Sequence, residues 1–312
     1  MNGTSSSDAM KLVALAGGTG SAKLLRGLSR LPIDLTVLTN VGDNFWTYGV
    51  YVCPDVDIST YTLAGISATR GWGIAGDTFE TLRRLSRLGG ETWFRLGDRD
   101  TAVCLARTEM LRRGKSLTEA TQRIAKSLGV GPSILPVTDD HLETRIMTPA
   151  GELHLQEFWV REGGRPEVTG VRYGGARGSK PTRRVAAALT DADRVVVCPA
   201  NPVTSIGPML AVTGFRRLLR GTDARIVALS PMEGALPYSG PAGKLLTATG
   251  SLPNSYGVAK LYSDFVDCIV ISETDSGLEG KIRALGMECL TTDTRMKGPK
   301  DELRLAKVMI EA

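Results

Sequence analysis

Apolar runs that alternate with amphipathic stretches dominate the pattern of this chain. Five runs are short and mostly apolar, at residues 12–16, 34–39, 194–198, 225–230 and 267–271. Because a strand covered by helices on both faces is apolar along its length, these runs predict the strands of a parallel sheet. Apolar residues at helical spacing predict helices at residues 101–113, 116–128, 181–189 and 299–310.

The order of these elements predicts the fold class. Strands and helices alternate at both ends of the chain, and extended segments at residues 143–148 and 152–160 form a predicted hairpin between them. We expect an α/β fold with a doubly wound, mostly parallel Rossmann-like sheet and a helical and β-hairpin insertion at about residues 60–170. Residues 1–10 are predicted to be a disordered tail, and residues 11–312 a single nucleotide-binding domain.

A glycine-rich turn follows the first predicted strand. Residues 17–20, Gly-Gly-Thr-Gly, let the backbone turn sharply and approach a ligand closely. The first turn of the following helix would present unpaired N–H groups and the positive end of the helix dipole, which favour a phosphate. Ser21 and Lys23 would add a hydroxyl and a cation. The spacing matches neither the P-loop nor a complete dinucleotide motif, and a turn without a ligand also explains it.

A second loop with phosphate-binding chemistry follows the apolar run at residues 194–198. In this loop Thr204, Ser205 and the amide of Gly207 are candidates for contact with a phosphate or a purine edge. A third segment, Ser-Gly-Pro-Ala-Gly-Lys at residues 239–244, is similar to a phosphate cradle but lacks the full P-loop spacing. Three such loops at one sheet edge predict a bound nucleotide diphosphate.

Two aspartates follow a proline in the loop region after the second strand. Asp55 and Asp57 are two residues apart, so in an extended segment their carboxylates would share a side and could hold one divalent cation. Capping of a helix by Asp57 or Ser59 explains the same residues without a metal.

Aromatic and charged residues are candidates for contact with a flat ring. Phe45, Trp46 and Trp72 can stack on such a ring or close an edge of the core. The run from Arg95 to Asp100 is typical of a solvated turn with local ion pairs, and its alternative role is contact of Arg95 or Arg99 with an anion or a ring.

Composition narrows the class of partner. The 312-residue chain has a net charge of +5, but its basic residues are dispersed, which favours a small anionic molecule over nucleic acid. The sequence contains neither a signal-peptide pattern nor the run of about 18 apolar residues that a membrane helix needs. Its five cysteines form no C-x-x-C motif, which predicts a cytoplasmic protein without a zinc site or a disulfide framework.

Eight motifs together resemble one protein family over nearly the whole chain. They are Ala16-Gly17-Gly18-Thr19-Gly20, Asn40-Val41-Gly42-Asp43, Cys53-Pro54-Asp55-Val56-Asp57, Arg70-Gly71-Trp72-Gly73, Leu96-Gly97-Asp98-Arg99-Asp100, Gln156-Glu157-Phe158-Trp159, Asn201-Pro202-Val203-Thr204-Ser205-Ile206-Gly207-Pro208 and Ser239-Gly240-Pro241-Ala242-Gly243-Lys244. With these motifs the sequence is similar to the 2-phospho-L-lactate transferase family of coenzyme F-420 biosynthesis.

The resemblance implies a magnesium-dependent transferase that acts on small molecules and forms a homodimer. In that reaction the terminal ribityl hydroxyl of 7,8-didemethyl-8-hydroxy-5-deazariboflavin attacks the phosphorus that carries the lactyl group in lactyl-2-diphospho-5′-guanosine, and GMP leaves. Phospholactate and phosphoenolpyruvate both remain open as the transferred acid.

Matching positions also imply site residues. Asp57 and Arg95 would contact the deazaflavin, on the side of the site formed by the insertion, and Asp57 could take the hydroxyl proton. Asp43, Asp55 and Asp57 are the candidates for holding magnesium. The guanosine and its phosphates would be held by Gly18, Thr19, Gly20, Asn201, Thr204, Ser205 and Gly207.

Two other functions are consistent with parts of the sequence. A related group with the same glycine-rich opening is thought to bind a nucleotide sugar as a non-enzymatic regulator. The run from Arg95 to Asp100, the Trp72 loop and the segment at residues 156–159 favour the transferase instead. An ordinary dinucleotide dehydrogenase is disfavoured, because the acidic residue expected about 20 positions after the glycines is missing.

Overall fold

The computed structural model describes residues 9–68, 72–238 and 240–312. Most of the predicted tail, the Arg70-Gly71 pair and Ser239 lie outside these ranges. The strands are β1 (Met10–Ala16), β2 (Ile33–Thr39), β3 (Phe45–Thr47), β4 (Val50–Val52), β5 (Ser133–Pro136), β6 (Glu143–Thr148), β7 (Gly151–His154), β8 (Gly170–Gly174), β9 (Arg194–Val197), β10 (Arg225–Leu229), β11 (Met232–Glu233), β12 (Leu236–Pro237), β13 (Cys268–Ser272) and β14 (Glu288–Thr292).

Helices separate these strands over most of the chain. They are α1 (Gly18–Leu28), α2 (Pro54–Leu63), α3 (Glu80–Arg87), α4 (Asp98–Arg112), α5 (Leu117–Ser127), α6 (Arg183–Thr190), α7 (Gly207–Ala211), α8 (Phe215–Gly221), α9 (Ala242–Ala248), α10 (Ser255–Tyr262), α11 (Glu279–Arg283) and α12 (Pro299–Glu311). None of the helices within the described ranges is both long and apolar enough to span a membrane.

The central sheet confirms the predicted fold class. In the described residues it has seven strands, in the order β14-β13-β10-β9-β1-β2-β5, and all neighbours are parallel. The chain winds outward from β1 toward one edge and from β9 toward the other. The switch point between β1 and β9 is where ligands bind in open sheets of this kind.

Successive side chains of β1 point to opposite faces of the sheet, and both faces are buried. Val13 and Leu15 belong to one buried apolar cluster, and Leu12, Ala14 and Ala16 belong to the cluster on the other side. All five are at most 2% exposed. Burial of both faces is the physical reason for the continuous apolar run in the sequence.

The predicted strand at residues 152–160 is wrong beyond His154. There the chain forms a π-helical turn at Glu157–Arg161, and the Glu157 carboxylate accepts the backbone N–H of His154 at 2.8 Å. A helical turn lets Leu155 and Phe158, three residues apart, both point inward, whereas a strand would place them on opposite faces.

The region predicted as an insertion is divided into two blocks by a strand of the central sheet. The first block, between β2 and β5, holds the β3–β4 hairpin and helices α2 to α5. The second block, between β5 and α6, is an antiparallel sheet in the order β7-β6-β8. Because β5 pairs with β2, both blocks are anchored at the same edge of the central sheet.

Candidate functional site

A cavity of about 640 Å³ opens at the carboxyl ends of β1, β2 and β9. The glycine turn and the loop after β9 form one side of it, and residues of the first inserted block form the other. Its lining includes Gly17, Gly18, Thr19, Gly20, Asp43, Asp55, Asp57, Trp72, Phe79, Arg95, Asp100, Gln156, Trp159, Asn201, Thr204 and Ser205. Most of the site residues expected from the sequence therefore lie around one space.

The glycine turn begins α1, as expected, and Asp55 occupies part of its N-terminus. Gly18 has φ +65°, and its N–H donates to Asp55 Oδ1 at 2.7 Å. The first N–H groups of an α-helix have no partner within the helix, so the amides of Thr19 and Gly20 also point out of its N-terminus. Since both residues line the cavity, these amides are the part of the turn best placed to bind a phosphate.

Ser21 and Lys23 do not join this predicted phosphate site. The buried Ser21 hydroxyl donates to Gly17 O at 2.8 Å and accepts the Gly17 N–H at 3.0 Å, so it closes the turn. Lys23 is exposed, and its Nζ donates to Met296 O at 3.0 Å, away from the cavity lining. The Ser21 hydroxyl is thus used within the turn itself, and Lys23, the sixth residue of α1, lies more than one helical turn from the first N–H groups.

The loop after β9 is a π-helical turn at Pro202–Ile206. Asn201 caps it, because its Oδ1 accepts the N–H groups of Val203 at 2.9 Å and Thr204 at 3.2 Å. Thr204 and Ser205 are buried and line the cavity. Gly207 lies behind this wall, where an added Cβ would approach the Tyr173 hydroxyl to 2.2 Å. Close packing against Tyr173 thus explains why position 207 is a glycine.

Asp43 and Asp55 form a buried pair held by Asn40. Asn40 Nδ2 donates to Asp43 Oδ1 at 2.8 Å and to Asp55 Oδ2 at 2.9 Å. Burial, together with the charge of Asp55, raises the pKa of Asp43 well above its usual range. Burial also raises the pKa of Asp55 to about 6.

This pair fits a divalent cation. Two carboxylates that are at most 5% exposed and share one neutral donor leave negative charge uncompensated. Carboxylate oxygens are the ligands that Mg²⁺ prefers, and one or two of them with phosphate oxygens are a common set. The cation would lie next to the amides of α1, where it could also contact a bound phosphate.

Asp57 lies apart from this pair. The prediction that Asp55 and Asp57 occupy an extended segment is wrong, because Pro54 begins α2 and places both aspartates in its first turn. Residues two apart on a helix point in different directions, whereas in a strand they share a face. The N-cap is Cys53, so the alternative of capping by Asp57 or Ser59 is also wrong.

Asp57 is paired with a residue that the sequence analysis missed, Arg107 of α4. The Arg107 guanidinium binds both carboxylate oxygens of Asp57. Burial raises the pKa of Asp57, and the charge of Arg107 opposes that rise. Asp57, Asp100 and Cys104 have ligand atoms within 4.8 Å of one another, but Arg107 already supplies the positive charge there. This second acidic group therefore has less uncompensated negative charge to offer a metal ion than Asp43 and Asp55 have.

Asp100 completes the acidic wall beside Asp57. Its Oδ1 accepts the Tyr61 hydroxyl at 2.6 Å. Burial, followed by the charge of Asp57, raises the pKa of Asp100 to about 7. This carboxyl thus changes its charge near neutral pH.

Two other aspartates fix the segment that carries Arg95 and Asp100. Asp77 accepts the N–H groups of Arg99 at 2.8 Å and Asp100 at 3.1 Å, so it caps the start of α4. Asp98 in turn accepts the N–H groups of Glu80 and Thr81, both at 2.9 Å, and caps the start of α3. The charged run thus begins a helix and is not a solvated turn, because Asp98 joins it to α3 and Asp77 joins it to the segment before α3.

The aromatic candidates divide between the cavity and its surroundings. Trp72 lines the cavity and is 48% exposed, so its ring is accessible to a ligand. Trp46 is 58% exposed on β3, outside the lining, and packs against Tyr51. Phe45 packs against Trp93 and belongs to a small core.

Arg95 and Lys244 are both candidates for contact with an anion, but of the two only Arg95 lines the cavity. The Arg95 guanidinium lies in the cavity wall, 4.8 Å from the centre of the Phe79 ring. Lys244 Nζ instead donates to the carbonyls of Gly164 at 2.9 Å and Pro166 at 2.5 Å, and so ties α9 to the second inserted block.

Asn40 and Arg107 show what the sequence analysis could and could not find. Asn40 follows β2 directly, in the Asn-Val-Gly-Asp motif, so its position at the sheet edge was a usable signal. Arg107 carries no such signal, because an arginine in an amphipathic helix is ordinarily on its solvent face.

This chain is similar to known proteins in both sequence and structure. The model of a family described as "2-phospho-L-lactate transferase CofD" matches residues 12–307. Relatives named 2-phospho-L-lactate transferase are 39% identical in Methanosarcina acetivorans and 41% identical in Methanopyrus kandleri. These alignments cover 96% of this chain and 98% and 97% of the two relatives.

The fold is similar to that of a solved protein of lower sequence identity. The crystal structure of a UPF0052 family member from Bacillus halodurans superimposes with a TM-score of 0.65 and 16% identity, over 97% of this chain and 99% of that one. At this identity the similarity shows a shared fold alone. In contrast, the family model matches residues 12–307, and the two relatives are 39% and 41% identical over 96% of the chain. These matches show that the chain belongs to the 2-phospho-L-lactate transferase CofD family, which is a family of enzymes.

Proposed function

We propose that this enzyme transfers a phospholactyl or phosphoenolpyruvyl group from a guanosine diphospho-linked donor to the terminal ribityl hydroxyl of 7,8-didemethyl-8-hydroxy-5-deazariboflavin. GMP is the leaving group, and the product belongs to the biosynthesis of coenzyme F-420. Membership of the transferase family supports the reaction class. One structural observation carries the rest, namely that anion-binding amides, a buried acid pair and an aromatic wall line a single cavity.

The donor fits the side of the cavity formed by the central sheet. The amides of Thr19 and Gly20 would bind phosphate oxygens, and the hydroxyls of Thr204 and Ser205 lie in the facing wall. Asp43 and Asp55 would hold Mg²⁺, which when bound neutralises charge that develops on the phosphate oxygens.

The acceptor fits the side formed by the first inserted block. Trp72 and Arg95 offer surfaces for the tricyclic ring, and Asp57 lines the same cavity. The acceptor oxygen would form a bond to phosphorus as the bond from phosphorus to the GMP oxygen breaks, and the hydroxyl proton would pass to a carboxylate of this wall. Since phosphoryl transfer needs mainly alignment and exclusion of water, one cavity that binds both substrates suffices for it.

A product mass measurement tests the proposal and resolves the donor. The purified enzyme is incubated with Mg²⁺, the deazaflavin and each of the two activated acids in turn, and GMP and product are quantified. We expect GMP release with one of them and a deazaflavin of matching added mass. In Asp55→Asn the rate should fall at least about 100-fold, consistent with the loss of one charge-stabilising group, and the exposed Asp34→Asn should keep it. Unchanged deazaflavin with both donors would contradict the proposal.

We further infer a cytoplasmic location, on the basis of the cysteine pattern, and a homodimer, on the basis of the family resemblance alone. Light scattering coupled to gel filtration at micromolar protein would test the second part of this inference. A mass near twice the 33.3 kDa of one chain supports it, and a mass equal to one chain contradicts it.

A further inference from the structure

Arg107 is a charged side chain buried behind the cavity wall. Its side chain is 1% exposed, and it lies on α4 without reaching the cavity lining. Because an arginine stays protonated in proteins and burial of a charge is costly, such a residue needs an oppositely charged partner that offsets the cost of its desolvation. Its partner is Asp57, which does line the cavity.

The contacts of Arg107 fix the carboxylate of Asp57 in two directions. Nη1 donates to Asp57 Oδ2 at 3.1 Å and Nη2 donates to Asp57 Oδ1, so the two planar groups meet in the bidentate arrangement. Nη1 also donates to Tyr51 O at 3.2 Å, which ties the guanidinium to β4. Arg107 thereby links α4 both to Asp57 on α2 and to β4.

This pairing determines what Asp57 can bind. Each carboxylate oxygen accepts two hydrogen bonds, and Arg107 uses one site on each oxygen. The remaining sites are available on the cavity side, and the charge of the carboxylate is already balanced. A neutral hydroxyl group suits these sites better than a cation does. Asp43 and Asp55, which have no such guanidinium on them among the described residues, differ in this respect.

We propose that Arg107 is a positioning residue for the acceptor. It orients the Asp57 carboxylate so that its free acceptor sites bind hydroxyl groups of a neutral, polyol-bearing substrate such as the ribityl chain. This inference rests on the proposed function, because it assigns the substrate class of the acceptor side of the same cavity. It also separates Asp57 from the magnesium ligands.

The test measures the two ligands separately in Arg107→Lys. Lysine keeps the charge but lacks the planar fork, so it cannot hold both carboxylate oxygens. We expect the Kd for the deazaflavin, measured by its fluorescence, to rise about 10- to 100-fold, the range that corresponds to a charged hydrogen bond. The Kd for GDP, measured by calorimetry, should stay unchanged. The matched control is Arg113→Lys, which changes an exposed arginine of the same region that pairs with Glu109.

A second pair of variants keeps the inference testable if single substitutions affect folding. Arg107→Met leaves Asp57 buried without its partner, which is expected to lower the melting temperature strongly. The double variant Arg107→Met/Asp57→Asn removes both charges and should recover much of that loss. It should still bind GDP and fail to bind the deazaflavin.

The outcomes distinguish this inference from the proposed function. Wild-type protein that binds no deazaflavin would overturn both. Normal deazaflavin binding by Arg107→Lys, alongside binding by the wild type, would overturn the role of Arg107 alone. Equal weakening of GDP and deazaflavin would also overturn it, because that result would indicate a general contribution to the fold.

Discussion

Asp55 and Asp57 are two residues apart on α2, but a backbone amide donates to Asp55 and a charged guanidinium donates to Asp57. Asp55 Oδ1 accepts the backbone N–H of Gly18 at 2.7 Å, whereas both oxygens of Asp57 accept from the guanidinium of Arg107. One helical turn therefore serves two halves of the cavity. Asp55 belongs to the half with the helix N-terminus, and Asp57 to the half with the aromatic wall.

The acid pair predicts magnesium affinity that is independent of turnover. In Asp43→Asn, one of the two buried carboxylates that share Asn40 loses its charge, so the cation site loses a ligand. Calorimetric titration with MgCl₂ should show binding to the wild type and at least tenfold weaker binding to the variant. The control is Asp34→Asn, which changes an exposed residue at the start of β2. Equal affinities in all three proteins would remove Asp43 from the site.

Mg²⁺ should also raise the melting temperature of the wild type. A ligand at 100 times its Kd that binds only the native state stabilises it by about 2.7 kcal/mol. Differential scanning calorimetry with and without MgCl₂ would detect this increase. Asp43→Asn is expected to show a smaller increase, and an identical response would contradict the assignment.

Gly17 is expected to tolerate no side chain. An added Cβ would lie 2.5 Å from Asp55 Oδ2 and 2.7 Å from Ser205 Cβ, so Gly17→Ala forces two walls of the cavity apart. We expect a loss of about 1–3 kcal/mol in the free energy of unfolding, typical of overpacking, together with weaker GDP binding. Gly131→Ala is the matched control, because nothing lies within 4 Å of its added Cβ. Urea unfolding and GDP calorimetry would measure both effects, and a fully stable Gly17→Ala protein would disprove the close packing.

The two tryptophans predicted to stack on a ring should behave differently. Trp72 lines the cavity and Trp46 does not, so Trp72→Ala should weaken deazaflavin binding by about tenfold and Trp46→Ala should not. Fluorescence titration of the deazaflavin compares the two variants directly. A larger effect at Trp46 would mean that the ring binds outside this cavity.

Asp100 predicts a pH dependence of stability. Its pKa is raised from 3.8 to about 7, first by burial and then by Asp57, so the native state keeps a proton that the unfolded chain releases near pH 4. The stabilising contribution is complete below pH 4 and is lost as the pH rises to 7. Asp100→Asn retains an acceptor for the Tyr61 hydroxyl and carries no charge. Its free energy of unfolding should therefore fall less between pH 4 and 7 than that of the wild type. Parallel curves for both proteins, from urea unfolding at each pH, would contradict this.

The sequence by itself determined the sheet and the identity of its carboxyl edge. The five apolar runs correspond to β1, β2, β9, β10 and β13 of the central sheet, because a strand that is buried on both faces is mostly apolar. The helix predicted at residues 116–128 begins with a capping box formed by Ser116 and Glu119, a device that depends only on residues of one turn. The glycine turn likewise starts α1 as expected.

Only the tertiary structure decided how the acidic residues divide. Residues 55–57 read equally well as an extended segment or as a helix, and the choice depends on Pro54 and on the packing of α2 within the fold. Arg107 lies 50 positions from Asp57, and no local pattern indicates that its side chain turns inward. Contacts between distant segments set both the burial and the partner of a charge. For that reason the sequence predicted that the candidate residues lie at one edge of the sheet, whereas the fold decided which partner each aspartate has.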